Sequence, residues 1–161
     1  MATNHIGPFL LTKLLTQKIL AAGTATYCGH ALWGTAQYQS METYFQTKSA
    51  NILTAIELSK RSKGKINAYS VHPGMIYTNI IQNGDSLAAM QAIGVLDADG
   101  KPTTEGTVAA AFDTQLNDKP GAYLSDSTEA NKHVAPHSSD PGNAEKLWTT
   151  TEEIIGETFT F

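Results

Sequence analysis

One stretch of the chain, residues 44–78, constrains the fold more than any other. Apolar residues recur in it at helical spacing without an interrupting Gly or Pro: Ile52, Leu53, Ile56 and Leu58. This spacing predicts a helix of about five turns that ends at Gly64. The next residues, 65–71, alternate and predict a strand buried at Ile66, Ala68 and Val71. The Pro73-Gly74 turn then follows, at the strand end where open α/β sheets bind ligands.

Tyr44 and Lys48 lie four residues apart at the start of the predicted helix, so their side chains share one face. A free Tyr titrates near pH ~10, too high for a base at neutral pH. A neighbouring ammonium favours the phenolate and lowers the pKa of the phenol. The pair is therefore a candidate proton donor or acceptor, although the same spacing also occurs in ordinary surface pairs.

The residues around this pair follow a recognisable pattern. In the helix they are Tyr44, Lys48, Ala50, Asn51 and Leu53, and after the strand they are His72, Pro73, Gly74, Ile76 and Thr78. This pattern resembles the short-chain dehydrogenase/reductase (SDR) family, particularly its retinol-dehydrogenase-like branch. Further likeness, in the family's order, lies in residues 4–12, 105–111, 121–125 and 144–148. The resemblance covers nearly the whole chain but only the carboxyl-terminal half of the family.

The resemblance implies an oxidoreductase that acts on an alcohol/carbonyl pair with NAD or NADP. Tyr44 would be the general acid/base, and Lys48 would lower its pKa and bind the nicotinamide ribose. Asn4 would anchor a proton-relay water, although a solvated Asn is an equal interpretation of this position. The nicotinamide pocket would be lined by Pro73, Gly74, Ile76 and Thr78.

Several parts of the family pattern are absent from the sequence. The 13 glycines are never closer than five positions apart, which excludes the Gly-rich turn that holds the cofactor phosphates. No Val/Ile-rich run stands between Gly23 and Tyr44, and the lone Ser there, Ser40, is one helical turn from Tyr44 and a poor active Ser. We therefore expect one partial domain over residues 1–161. Its predicted fold is a truncated Rossmann-like three-layer α/β fold without the amino-terminal βαβ units or the strand before the Tyr/Lys helix.

These absences favour a chain that has no dehydrogenase turnover alone. One alternative is a non-enzymatic interaction protein that dimerises, or binds a full-length relative, through the first two helices. Another is an incomplete gene product. The substrate and the choice between NAD and NADP stay undetermined.

Composition excludes other classes of function. Hydrophobic residues make up 41% of the chain, and a net charge of -4 without a basic stripe argues against nucleic-acid binding. The lone Cys28 predicts a reduced, cytoplasmic setting, and no apolar run approaches the ~18 residues of a membrane span. We predict no metal site, because His133 and His137 are separated by Pro136 and lack a third ligand.

Overall fold

The computed structural model describes residues 1–21, 26–30, 40–72 and 110–161, with the backbone alone for residues 26–30 and 40–43. The helices in these ranges are α1 (Gly7–Ala21), α2 (Ser40–Arg61), α3 (Pro136–Ser139) and α4 (Pro141–Ile155). The strands are β1 (Thr26–His30), β2 (Asn67–Val71), β3 (Tyr123–Ser125) and β4 (Thr128–Glu129). A π turn, Ala2–Ile6, precedes α1.

The long helix predicted to carry Tyr44 and Lys48 is confirmed, and a second long helix, α1, precedes it. Pro8 lies in the first turn of α1, where its missing N–H removes no helical hydrogen bond. The helix that carries Tyr44 and Lys48 is longer than predicted, with 22 residues. It ends where Lys63 and Gly64 adopt positive φ angles of 51° and 81°, a conformation that Gly adopts without steric cost.

The strands form one sheet in the order β1-β2-β3-β4. The first two pairings are parallel, with Cys28 opposite Tyr69 and Val71 opposite Leu124, and the last is antiparallel. The predicted strand of residues 65–71 is confirmed, with Ile66, Ala68 and Val71 at most 2% exposed. The parallel strands β1 and β2, joined through α2, give the Rossmann-like α/β fold expected from the sequence.

The prediction that the strand before the Tyr/Lys helix is missing was wrong. Thr26–His30 forms β1 and pairs along its whole length with β2. The segment lacks Val and Ile, but Thr and Tyr favour extended backbone. Pairing with the buried β2 supplies the backbone hydrogen bonds, so tertiary context decides a strand that hydrophobic pattern alone does not indicate.

Both faces of β2 are buried. On one face Ala68 joins residues of α1, α2, α4 and the segments that precede β2 and follow α4 in a core cluster: Phe9, Ala55, Leu58, Ile66, Trp148 and Phe159. On the opposite face Tyr69 and Val71 join a second cluster: Ala110, Leu116, Ala122 and Leu124. Alternate residues of one strand therefore serve two cores, as a sheet between two layers requires.

Gly121 sets how closely α2 approaches the sheet. Its N–H donates to the carbonyl of Ala68 at 2.7 Å, and its φ is +85°. A Cβ at this position would lie 3.4 Å from the Cα of Ile56 in α2. The helix that carries the candidate site is thus fixed against β2 and β3 at a position that suits Gly.

The carboxyl-terminal part of the chain is built from short regular elements. It contains β4, a 3-10 turn (Asn131–His133) and α3, and α4 begins at Pro141. The Asp140 carboxylate accepts the N–H of Asn143 at 2.7 Å and caps α4. None of the helices in the described ranges is both long and apolar enough to cross a membrane.

Candidate functional site

Tyr44 and Lys48 lie next to each other in the first turns of α2. The Lys48 ammonium is 5.2 Å from the centroid of the Tyr44 ring, within the range of a cation–π interaction. Residues four apart on a helix lie one above the other, so the spacing seen in the sequence explains this contact. The ammonium thus lies over the face of the ring.

The electrostatics of the pair differ from the sequence-based expectation. Burial raises the pKa of Tyr44 above its ordinary value, whereas a lowered pKa was expected from the neighbouring cation. Burial also lowers the pKa of Lys48. In this arrangement Tyr44 keeps its proton at neutral pH and can donate it. To accept a proton, the phenol would need the Lys48 charge nearer to its hydroxyl.

Asn4 reaches the same turn of α2 from the π turn at Ala2–Ile6. Its Nδ2 donates to Thr47 Oγ1 at 3.3 Å, across 43 residues of sequence. The Thr47 hydroxyl itself donates to the carbonyl of Tyr44 at 2.6 Å, so its single hydrogen is already used. Thr47 must therefore accept from Asn4, which fixes the orientation of the Asn4 amide. The structure brings Asn4 to the turn between Tyr44 and Lys48.

The other predicted cofactor residues fall outside the described part of the chain. These are Pro73, Gly74, Ile76 and Thr78. The strand that leads to them ends at Val71, and the N–H of His72 donates to the carbonyl of Leu124 at 2.8 Å. Their role in nicotinamide binding stays a prediction.

Two residues of the site were not anticipated from the sequence. Thr47 is only 2% exposed and links Asn4 to the Tyr44 turn. His5 is 3% exposed and bonds to Thr151 of α4. Nothing in their local sequence indicates these contacts, because each joins segments far apart in the chain. Among the residues that the structure describes, no three His, Cys, Asp or Glu side chains could hold a metal ion.

Comparison with known proteins gives relatives along nearly the whole chain. It is 29% identical to retinol dehydrogenase 12 of Bos taurus over 173 residues, covering 97% of this chain and 54% of that protein. It is 30% identical to the short-chain dehydrogenase/reductase prx1 of Penicillium rubens over 191 residues, covering 96% and 55%. The chain thus spans about half the length of the curated relatives it matches.

A crystal structure of an uncharacterised protein from Mycobacterium paratuberculosis shares the fold. The TM-score is 0.69 at 21% identity, over 99% of this chain and 59% of that one. No family model matches the chain. The chain is similar over nearly its whole length to retinol dehydrogenases and other short-chain dehydrogenases/reductases, and it aligns with the carboxyl-terminal half of such proteins.

Proposed function

We propose that this chain, as one partial domain of residues 1–161, carries the proton-transfer side of an NAD(P)-dependent oxidoreductase site for an alcohol/carbonyl pair. The observation that supports this most strongly is the hydrogen bond from Asn4 to Thr47, between Tyr44 and Lys48. Helical spacing places Tyr44 and Lys48 together, whereas Asn4 comes from a separate segment, the π turn before α1. Their proximity is what a site, and not a chance surface pair, requires.

Each side chain has a distinct role in this proposal. Tyr44 donates its proton to the substrate oxygen during reduction and takes it back during oxidation. Lys48 binds the nicotinamide ribose and, once its charge moves from the ring face toward the hydroxyl, lowers the pKa of Tyr44. Asn4 orients a water that returns the proton from solvent. A bound nicotinamide would supply or accept the hydride.

The residues fit one side of the cofactor better than the other. The Tyr44 phenol and the Lys48 ammonium lie side by side and are both half-buried, an arrangement that suits contact with the nicotinamide ribose. The phosphates would need closely spaced backbone N–H groups, and no two of the 13 glycines lie closer than five positions apart. We therefore expect weak binding of NADH and NADPH by these residues alone. The residues that separate NAD from NADP, like the substrate, remain to be identified.

A chimera tests the catalytic proposal. The amino-terminal half of the Penicillium rubens relative would be joined ahead of Met1, and the isolated chain would serve as the reference. We expect no turnover of carbonyl substrates by the isolated chain and NAD(P)H-dependent turnover by the chimera. In the chimera, Tyr44→Phe should lower kcat at least ~100-fold, the usual contribution of a general acid.

Tyr69→Phe is the matched control for this experiment. The Tyr69 hydroxyl donates to the carbonyl of Leu116, and its ring lies in the core on the face of β2 opposite α2. Tyr69→Phe removes a phenol hydroxyl, as Tyr44→Phe does, but from a residue outside the site, so turnover should persist. A chimera in which Tyr44→Phe is as active as Tyr69→Phe would overturn the acid/base role. Saturable turnover by the isolated chain would overturn the expected need for a phosphate-binding half.

A second candidate function, association with another chain, is favoured by one specific observation. Leu11, Leu14 and Leu15 of α1 form an apolar stripe and are 58%, 65% and 41% exposed. Contiguous exposed apolar residues commonly mark interaction sites. We propose self-association through this stripe. Binding of the stripe to a full-length relative is the alternative outcome. The cytoplasmic setting expected from the lone Cys28 remains part of this proposal.

Sedimentation analysis over a concentration series tests the association. We expect a dimer that Leu14→Glu dissociates, because a charge would be buried in the apolar contact. Ile154→Glu is the matched control, since Ile154 is similarly exposed, at 63%, but lies on α4. A monomer at every concentration, or equal dissociation by both variants, would contradict the proposal.

A further inference from the structure

His5 is a buried titratable side chain to which the proposed chemistry assigns no role. It is 3% exposed, and its Nε2 lies 3.0 Å from Thr151 Oγ1 on α4, across 146 residues of sequence. Its ring also faces Phe9, with 6.2 Å between the ring centroids. A buried histidine with a specific polar partner, one residue from a proposed site residue, calls for an explanation.

The hydrogen-bond partners of Thr151 determine which nitrogen of His5 carries the proton. The Thr151 hydroxyl donates to the carbonyl of Leu147 at 2.7 Å. A hydroxyl has one hydrogen, so toward His5 the Thr151 oxygen can only accept. His5 must then be the Nε2–H tautomer and donate. Burial, together with the positive amino terminus, lowers the pKa of His5 to about 4, which agrees with a neutral ring at this position.

His5 and Asn4 are adjacent on one wide turn and bond in different directions. Asn4 donates to Thr47 on α2, while His5 donates to Thr151 on α4. In both cases the threonine hydroxyl donates its one hydrogen to a carbonyl of its own helix. Toward the side chain of Asn4 or His5 it can therefore only accept. The backbone of the turn closes through the N–H of Ile6 on the carbonyl of Met1 at 3.2 Å. The turn continues directly into α1, because the N–H of Gly7 donates to the carbonyl of Ala2. The side-chain bonds add the tertiary contacts that tie Asn4 to α2 and His5 to α4.

We propose that His5, through its hydrogen bond to Thr151, positions Asn4 against the turn of α2 that carries Tyr44 and Lys48. The importance of Asn4 for proton transfer rests on the proposed function, but its placement by His5 does not. His5 is thus a positioning residue. It couples the site on α2 to α4.

The first test reads the tautomer of His5 directly. In the ¹⁵N spectrum of histidine-labelled protein at neutral pH, we expect the Nε2–H form of His5. This measurement needs no variant, cofactor or substrate. A dominant Nδ1–H form would overturn the proposal, because His5 could not then donate to Thr151.

The second test measures the position of Asn4. The nuclear Overhauser effect between the Asn4 side-chain amide and the Thr47 methyl reports their contact. In Thr151→Val, the equilibrium constant for this contact should fall roughly 2- to 10-fold, as expected for the loss of one hydrogen bond. Thr149→Val is the matched control, because Thr149 bonds its own helix in the same way but is exposed. In Thr149→Val the contact between Asn4 and Thr47 should stay as in the wild type.

Two further variants show whether His5 acts through Thr151. His5→Phe keeps an aromatic ring beside Phe9 and removes the donor, and should match Thr151→Val. The double variant should lose no more contact than either single one, because both remove the same interaction. His5→Gln, which can still donate from a similar position, should retain the contact.

An unchanged Asn4–Thr47 contact in folded Thr151→Val would overturn the proposal. If His5→Phe fails to fold, the contact in Thr151→Val and the tautomer of His5 still test the proposal. Since neither measurement uses NADH, NADPH or a carbonyl, a failure of the chimera would overturn the catalytic role and leave the positioning role intact.

Discussion

The last turns of α2 are mostly buried, with Lys60 exposed, whereas its first turns carry Tyr44 and Lys48 half-buried. Ala55 and Leu58 are fully buried against the sheet and α4. Glu57 is 1% exposed and accepts a hydrogen bond from the Arg61 Nε at 2.7 Å. At the other end, Asn4 and Thr47 make one long hydrogen bond of 3.3 Å. One helix thus has a scaffold end and a site end.

This difference indicates how the chain divides stability from chemistry. Apolar burial stabilises the scaffold end, and pairing with Arg61 offsets the desolvation cost of the buried Glu57 carboxylate. The site end keeps a phenol and an ammonium partly desolvated, which costs stability but suits proton transfer. Substitutions at the two ends should therefore differ in kind.

The largest loss should come from Trp148→Ala, on α4, whose ring lies against Arg61 and the core at the scaffold end of α2. Trp148 is 2% exposed and packs edge-on against Phe9, with ring centroids 4.7 Å apart, while Arg61 lies over its other side. We expect the free energy of unfolding to fall by about 3–5 kcal/mol, the usual cost of a large core truncation. Urea titration followed by circular dichroism measures it. Ile154→Ala, on the exposed side of the same helix, should change it by less than about 0.5 kcal/mol.

The scaffold end is also the part that the sequence predicted best. The helical spacing of Ile52, Leu53, Ile56 and Leu58 and the stop at Gly64 are local signals, and local signals need no knowledge of distant residues. β1 was missed because five residues without Val or Ile form a strand only by pairing with β2, some forty positions later.

The site end could be predicted only in part. The Tyr44–Lys48 contact follows from helical spacing, but Asn4 entered through the family resemblance. The bonds of Asn4 to Thr47 and of His5 to Thr151 depend on how whole layers pack. No periodicity encodes them. The pKa of Tyr44 was expected to fall and instead rises, because burial was not visible in the sequence.

Lowering the pH should have an intermediate effect on the free energy of unfolding, through protonation of the buried His5. Its pKa is about 4 in the folded chain and near the ordinary 6.5 when unfolded. Between these values the unfolded chain binds more protons, so this contribution is complete above pH 6.5 and is lost as the pH falls toward 4. At ~1.4 kcal/mol per pKa unit, the loss is at most about 3 kcal/mol.

Comparing wild type with His5→Gln isolates this contribution, because Asp and Glu titrate in both. Unfolding by urea at several pH values between 4 and 7 gives the two stability curves. The wild type should lose more stability than His5→Gln across this window. Parallel curves would contradict a buried neutral His5.

The smallest effect on stability, and an opposite one in sign, should come from Lys48→Met at the site end. Two contributions oppose each other at Lys48: the cation–π contact with Tyr44 favours the ammonium, and burial disfavours it. Burial lowers the pKa of Lys48, so the charged form carries a desolvation cost at neutral pH. Methionine has similar length without the charge. We expect the free energy of unfolding to rise by about 0.5 kcal/mol, a modest value because the side chain is still partly exposed.

Lys146→Met on the exposed side of α4 is the matched control and should change stability by less than about 0.5 kcal/mol in either direction. A gain specific to Lys48, paired with loss of turnover in the chimera, is the combination expected of a side chain kept for chemistry at a cost in stability. A loss of stability at Lys48 comparable to that at Trp148 would instead make the ammonium part of the scaffold. The contrast between the two ends of α2 would then disappear, because both would be built to hold the fold.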